Sequence, residues 1–445
     1  MKPVSLKASV LNAAGIPAGL LWVLLLFPIG TDAAAADFAD SVTFSGETET
    51  LFAFPFSADR DLTEARTGAK ALLGAYIGEA EARITFNAEY NPVIPSRTGA
   101  ALDEAWIRWN PAAGRTSLSL SLGCQRISWG AADGLILTDV VCPQNLVSYA
   151  GLDFAGSRLP VDGVSVRLGI SGFSFGDFSA EVLWLPVFIP AKLPLENDNP
   201  LNALLFPSGI IPVTAAGIQE AKPNTITGGE YGLRVSCYTP LFDLSLCGFY
   251  GWNDIPYLRG SAAGPPPFSM TPEFHRTIMA GGDASIPADN FLFRLEAAYT
   301  WGGRFTPDEA AIAAALGNLV PVEKTRLQML AGMDWNPGSW TVTVQYCEDL
   351  LPAKDGGIER DWRKNGTTLS VSRSFLRGVL TVSSSCYLGL RDFDAAGSGE
   401  IRWAVTGALE LFLGTDFFFG GIDGRGDYAA YRDLSCLWFG GIYRF

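Results

Sequence analysis

The chain has one histidine, His275, and seven scattered cysteines: Cys124, Cys142, Cys237, Cys247, Cys347, Cys386 and Cys436. Hydrolysis by a serine nucleophile needs a base, usually histidine, held by a third group. No G-x-S-x-G elbow or comparable motif accompanies His275, which stands at the start of an alternating segment and reads as a wall residue. No cysteine forms C-x-x-C or lies near a histidine in ligand spacing, so no catalytic residue, metal site or cofactor is expected. Most cysteines read as small apolar side chains. Cys124 and Cys142 bracket one loop, so a disulfide there stays open. The glycine pairs lack phosphate-loop spacing, and no acidic cluster has EF-hand spacing.

The remaining chemistry lies in charged residues spaced two apart along apolar segments. The polar phase contains Arg83, Glu104, Arg108, Arg167, Glu181, Glu230, Arg234, Arg294, Glu296, Arg326, Glu400 and Arg402, together with Glu89, Asp177, Asp334 and Glu410. The signs are mixed. Such a set can orient polar solutes in a water-filled lumen, or pair across strands and knit a wall. The loop from Gly130 to Pro160, with Trp129 just before it and Asp133, Asp139 and Asn145 within it, is a candidate constriction if it folds inward. An ordinary surface loop is the alternative. The 187–227 stretch contains the apolar "LNALLFPSGIIPV" and is expected to pack as a lid rather than stand free in solvent.

The elements that position these residues have period two. "WTVTVQY" sets Trp340, Val342, Val344 and Tyr346 against Thr341, Thr343 and Gln345, and "RTSLSLSLG" sets Leu118, Leu120 and Leu122 against Ser117, Ser119 and Ser121. "EARITFNAEY", "NFLFRLEAAYTW" and "GEIRWAVTGALEL" follow the same scheme, which is that of half-buried strands. Tight connections are expected near Gly78, Asn110–Gly114, Gly172, Thr239–Leu241, Ile286–Asn290, Asn336–Gly338, Phe375–Gly378 and Leu413–Asp416, where Pro, Gly, Asn and Asp supply turn chemistry. Longer stretches alternate with them. The pattern predicts an all-β, up-and-down antiparallel transmembrane barrel of about 18 strands, with 16 as the alternative, short periplasmic turns and long external loops. Closure would satisfy every backbone group and leave no edge facing lipid.

Composition agrees. Charged residues are only 18% of the 445, yet apolar residues are finely divided and only one long apolar run occurs. That run, "IPAGLLWVLLLFPIG" (Ile16–Gly30), follows the two lysines of "MKPVSLK" and precedes the small residues of "TDAAAADF", the order of a secretory signal. Residues 1–36 are therefore expected to be a cleaved leader, and 37–445 one barrel domain. A retained anchor helix is the alternative, and no cysteine near Ala36 offers a lipid attachment. The net charge of −14 argues against nucleic acid as a partner. No period of 20–50 residues points to a propeller or solenoid.

The stretch "LDEAWIRWNPAAGRTSLSLSLGCQRISWGAADGLILTDVVCPQNL" (Leu102–Leu146) resembles porin-type outer-membrane channels. It has an acidic-Glu-Ala-aromatic strand start, a Gly-x-Gln strand, then Trp-Gly and Asp-x-x-x-Pro. "AEVLWLPVFIPAKLP" and "LFDLSLCGFYGWNDIP" are similar to the same broad group, which includes alginate-export-like channels. Cys124 stands where that pattern leads one to expect Arg. The resemblance implies a bacterial outer-membrane channel and names no solute. The chain's end, "LSCLWFGGIYRF", places Leu437, Phe439, Tyr443 and Phe445 on one face. Its aromatics resemble the signal read by outer-membrane assembly machinery, with Phe439, Tyr443 and Phe445 as the assembly residues. The expected function is passive diffusion of small polar solutes, with outer-membrane lipid and that machinery as partners. A loop-plugged structural or adhesion barrel and a transporter of hydrophobic compounds are the alternatives, with an enzyme third. No strand stands out as an interface, so a homo-oligomer and a monomer both stay open.

Overall fold

The computed structural model describes residues 41–445 apart from 58–61, 112–113, 149–156, 206–213, 224–225, 262–269, 316, 354–355 and 425. The expected leader lies outside the described residues. In hydrocarbon a strand cannot leave its N–H and C=O groups unpaired, so alternating segments must pair edge to edge until the sheet closes. Eighteen do so. They are β1 (Ser41–Pro55), β2 (Glu64–Ile77), β3 (Ala80–Tyr90), β4 (Gly99–Trp109), β5 (Thr116–Gln125) and β6 (Val161–Phe173). Next come β7 (Gly176–Leu185), β8 (Glu230–Tyr238), β9 (Asp243–Trp252), β10 (Arg276–Ala288), β11 (Phe291–Phe305) and β12 (Val322–Trp335). The last six are β13 (Trp340–Leu350), β14 (Arg363–Phe375), β15 (Leu380–Gly389), β16 (Ala395–Ala404), β17 (Leu409–Phe419) and β18 (Cys436–Arg444).

Each strand pairs antiparallel with its neighbour in sequence; β9, for example, pairs with β10 from Asp243↔Ser285 to Trp252↔Arg276. β18 returns to β1 from Arg444↔Glu47 to Cys436↔Pro55. The ring is complete, as the alternation predicted, with 18 strands rather than 16. Every even-numbered strand up to β16 is followed by a turn of two to six residues, whereas the odd-numbered strands, apart from β15 with its five-residue link 390–394, lead into longer connections, up to the 44 residues of 186–229. A separate three-stranded sheet, Tyr257–Ser261 with Met270–Glu273 and Asn318–Leu319, is built from two of these long loops.

One expected turn is misplaced. Leu413–Asp416 lies inside β17, and the chain reverses at Val405–Ala408, splitting "GEIRWAVTGALEL" between β16 and β17. The Thr406 hydroxyl accepts from the N–H groups of Ala408 and Leu409 at 3.2 and 2.9 Å, a side-chain-supported turn. The turn-like "GTD" belongs to the strand because a Cβ on Gly414 would lie 2.2 Å from the Trp438 ring, a close approach that only glycine allows.

The two faces differ as period two requires. On β18, Leu437, Phe439 and Tyr443 are exposed on the outer face, while Cys436, Trp438 and Ile442 are buried within. Outward aromatics gather near both rims: Trp109, Trp335, Trp340 and Trp403 beside the short turns, Trp184, Trp301, Tyr231 and Tyr250 beside the long loops. Trp335 stacks on Phe291 at 6.3 Å and 14°. Two aromatic belts flanking an apolar band match the two interfaces of a bilayer.

Candidate functional site: a loop fastened to the inner wall

Strand register places all twelve polar-phase residues on the inner face, and most are paired there. Arg83 and Arg108 lie over the Trp106 ring at 5.2 and 4.5 Å, and Arg83 also reaches Glu81 at 3.3 Å. Glu104 accepts from the Arg126 backbone N–H at 3.0 Å. Arg167 meets Glu181 at 3.1 Å directly across β6 and β7. Glu230 accepts from the Trp252 N–H at 2.8 Å, and Arg234 contacts Asp283 at 3.1 Å. Arg294 pairs with Asp334, and Arg326 donates twice to Asp349 at 2.9 and 2.8 Å. Arg402 bridges Glu400 and Glu410, each at 2.8 Å.

Glu296 is different: its four partners all come from the loop between β5 and β6. The N–H groups of Ala131 and Ala132 donate to Oε2, and the N–H and hydroxyl of Thr138 donate to Oε1, all at 2.8 Å. Glu296 as a whole is 4% exposed, so its charge is held by these donors rather than by bulk water. Neighbouring inner-wall groups extend the attachment. Gln345 on β13 accepts from the Asp133 N–H at 3.0 Å and donates to its carbonyl at 2.6 Å. Arg294 donates to the Ala131 carbonyl at 3.1 Å.

The loop therefore lies inside the barrel. Trp129 is 2% exposed, edge-on to Phe249 at 6.3 Å, and its indole N–H donates to Glu181 at 3.2 Å. Ile127, Leu137 and Val141 join inward residues Cys247, Met279, Ala298 and Leu330 in one apolar cluster. This cluster packs the loop against β7 and β9–β12. Asp139 accepts from the Trp129 N–H at 2.9 Å and contacts Arg158. Burial pushes its carboxyl above the usual range, and those two donors oppose the shift. Asn145 sits further along the loop, where its N–H donates to Ser157 at 2.6 Å and the next residue's N–H donates to the Lys192 carbonyl at 2.8 Å.

Lys192 belongs to the 186–229 loop, which spans the mouth. Phe188 is buried against Phe274 at 5.0 Å near its start. Leu201 packs with Ala396 of β16, Phe418 of β17 and Leu434. These strands are nine places around an 18-strand ring from β7 and β8, so the loop reaches the opposite wall. The apolar run expected to pack as a lid does so for Leu201; residues 206–213 lie outside the described residues.

Two larger cavities and a smaller one of about 250 Å³, bounded by Ile136–Cys142 and β9–β12, lie beside the fastened loop among the described residues. Of the larger two, one, about 590 Å³, is bounded by the loop tip at Asp133–Leu137 and by β12–β15. The other, about 560 Å³, is bounded by β1–β4 and the returning part of the loop.

Cys124 and Cys142 are free thiols: Cys124 donates to the Asp103 carbonyl at 3.5 Å, and the Cys142 sulfur accepts from the Ile127 N–H at 3.2 Å. His275 stands at the mouth with its ring 4.7 Å from Tyr257, and neither ring nitrogen has a hydrogen-bond partner among the described residues. Strand phase alone missed the wall partners Asp103, Asp283 and Asp349. Asp283 was within reach, since it follows two glycines on an inward phase. Asp103 was not, because it occupies the register shift between β3 and β4.

At the closing seam Phe439 lies 5.7 Å from Phe52 and 5.9 Å from Phe54, both on β1. Phe445 exchanges backbone hydrogen bonds with Gly46 at 2.8 and 2.9 Å. Tyr443 is outward and half exposed.

A closed 18-strand antiparallel barrel, apolar outside and charged inside, has the architecture of a membrane-spanning β-barrel. No family model matches the chain, and no curated protein does. Solved structures resemble it: OccK3 (OpdO) of Pseudomonas aeruginosa, 11% identical over 92% of this chain and 97% of that one, with a TM-score of 0.49. OccK2 (OpdF) of the same organism, solved with glucuronate, is 10% identical over 92% and 98%, at 0.48. Salmonella typhi OmpF, solved with daunomycin, is 9% identical over 92% and 99%, at 0.44. These likenesses concern the barrel alone.

Proposed function

We propose that the protein is a channel for passive diffusion of small polar solutes across the outer membrane, reached after removal of residues 1–36. The observation that carries this reading is the loop fastened to one side of the inner wall through Glu296, with cavities of about 590 and 560 Å³ left beside it. A wall whose charges are mostly paired favours passage over tight capture, because few ions await a counter-charge. Trp129, Asp133, Asp139 and Asn145 set the width through the loop, and the paired arginines and carboxylates tune which solutes enter. Phe439, Tyr443 and Phe445 serve recognition by the assembly machinery, and outer-membrane lipid covers the apolar band. No interface strand is assigned, so a homo-oligomer stays open.

The loop-plugged barrel is the second reading, favoured by the 186–229 loop reaching β16 and β17 through Leu201. Planar-bilayer recording of refolded protein separates them. Stepwise ohmic currents support the channel. Silence from protein that migrates as a folded, heat-modifiable barrel supports the plug.

A further inference from the structure

The cavity under the loop tip has a composition unlike that of the rest of the lumen. Its charged side chains are largely neutralised internally. Arg326 and Arg360 both hold Asp349, at 2.8 and 3.0 Å, and Lys364 contacts both oxygens of Asp427 at 2.7 Å. Apart from Asp133 at the loop tip, what remains free is uncharged. The hydroxyls of Ser370, Ser385, Tyr387 and Tyr428 line the cavity and make no hydrogen bond among the described residues. The Tyr387 and Tyr428 rings meet edge to face at 5.8 Å, offering a flat apolar surface beside those hydroxyls. Asp133, exposed at the loop tip with its backbone pinned by Gln345, adds a carboxylate without an ion-pair partner among the described residues. The cavity against β1–β4 contrasts with it: Lys70 and Lys192 line it, exposed and without an ion-pair partner among the described residues.

Building on the channel reading above, we propose that the cavity between the loop tip and β12–β15 is a subsite for an uncharged polyhydroxylated solute, a sugar or polyol. Such a solute has many hydroxyls that act as both donor and acceptor, and apolar C–H faces between them. Free serine and tyrosine hydroxyls match the first property because each can donate and accept. The tyrosine rings match the second. A carboxylate acceptor such as Asp133 takes hydroxyl donors and repels anionic solutes. The volume of about 590 Å³ falls within the range of roughly 300–1,000 Å³ that encloses small organic ligands. Anions meet the unpaired lysines of the β1–β4 cavity instead.

The test is block of single-channel KCl current by sucrose, with gluconate as the anionic comparison. Sucrose should reduce the current of the unsubstituted barrel in a saturable manner. Tyr387→Ala should raise the half-blocking sucrose concentration about tenfold, equivalent to about 1.4 kcal/mol. Ser385→Trp, which fills the cavity without touching strand pairing, should abolish the block. Lys70→Glu should move block by gluconate but not by sucrose. Sucrose block equal in all three variants and the unsubstituted barrel, or lost only in Lys70→Glu, overturns the subsite. Current without saturable sucrose block overturns it as well while leaving the channel standing. No current from folded barrel overturns the channel reading and the subsite together.

Discussion

Replacing Glu296 by alanine should free the middle of the inner loop while leaving the barrel closed. The carboxylate takes four hydrogen bonds at 2.8 Å, three from backbone N–H groups and one from a hydroxyl. Four charge-assisted bonds at about 1.5 kcal/mol each set a ceiling of about 6 kcal/mol. Removing one member of a buried charged set costs about 3–5 kcal/mol, because its partners are stranded. Water in the lumen re-solvates some of the donors, so the lower end applies, and local opening becomes about a hundredfold more frequent. The Gln345 bonds to Asp133 and the Trp129–Phe249 packing remain, so the loop loosens without leaving the lumen. Strand pairing through Glu296 uses backbone groups and is unaffected. The assay is amide hydrogen exchange at Ala131, Ala132 and Thr138, alongside single-channel recording. Exchange at those three amides should accelerate about a hundredfold, with noisier open-state current. Glu296→Gln should fall between, since its amide nitrogen faces donors where an acceptor stood. Unchanged exchange at all three amides in folded Glu296→Ala protein would refute the idea that this carboxylate holds the loop.

Gly123, paired with both β4 and β6 two residues before β5 ends, has φ of +127°, and an added Cβ would lie 2.2 Å from the Ala105 carbonyl oxygen. Gly123→Ala should therefore destabilise by at least the roughly 1–3 kcal/mol of a strained backbone site, seen as earlier heat-induced unfolding on gels; wild-type melting would count against it. Burial pushes the Cys142 thiol up to about 12, so in folded protein at neutral pH it should resist maleimide, and migration should not depend on reductant; a reductant-sensitive band would reveal a disulfide. Burial, aided by Arg304, lowers His275 from 6.5 to about 4, so the unfolded mouth binds the proton more readily. Its stabilising contribution is present above pH 6.5 and is lost as pH falls toward 4, which should loosen the 253–275 segment in acid-dependent hydrogen exchange; an ordinary histidine titration would contradict this. Deleting Phe445 removes the Gly46 backbone pair and one ring of the seam, so insertion yield should fall further than conductance per inserted barrel; normal yield would remove its targeting role.

The barrel was legible in the chain because a strand's two-residue period is local: each segment declares its faces without knowing its neighbours. Leu437, Phe439 and Tyr443 face outward and the charged ladder inward for that reason alone. The alternation of short and long connections likewise fixed an up-and-down order. Local composition misled at "GTD", where a glycine serves the Trp438 ring of the next strand rather than a turn. What the long loops do could not be read this way. The bonds that fasten Asp133 to Gln345 and Thr138 to Glu296 span 212 and 158 residues, and Leu201 finds its pocket on Ala396 and Phe418, far later in the chain. Sequence placed Glu296 on the polar phase beside Arg294; only the closed ring brought the loop's N–H groups to it. The cylinder follows from pattern, and the shape of its interior from which distant groups the cylinder brings within hydrogen-bonding distance.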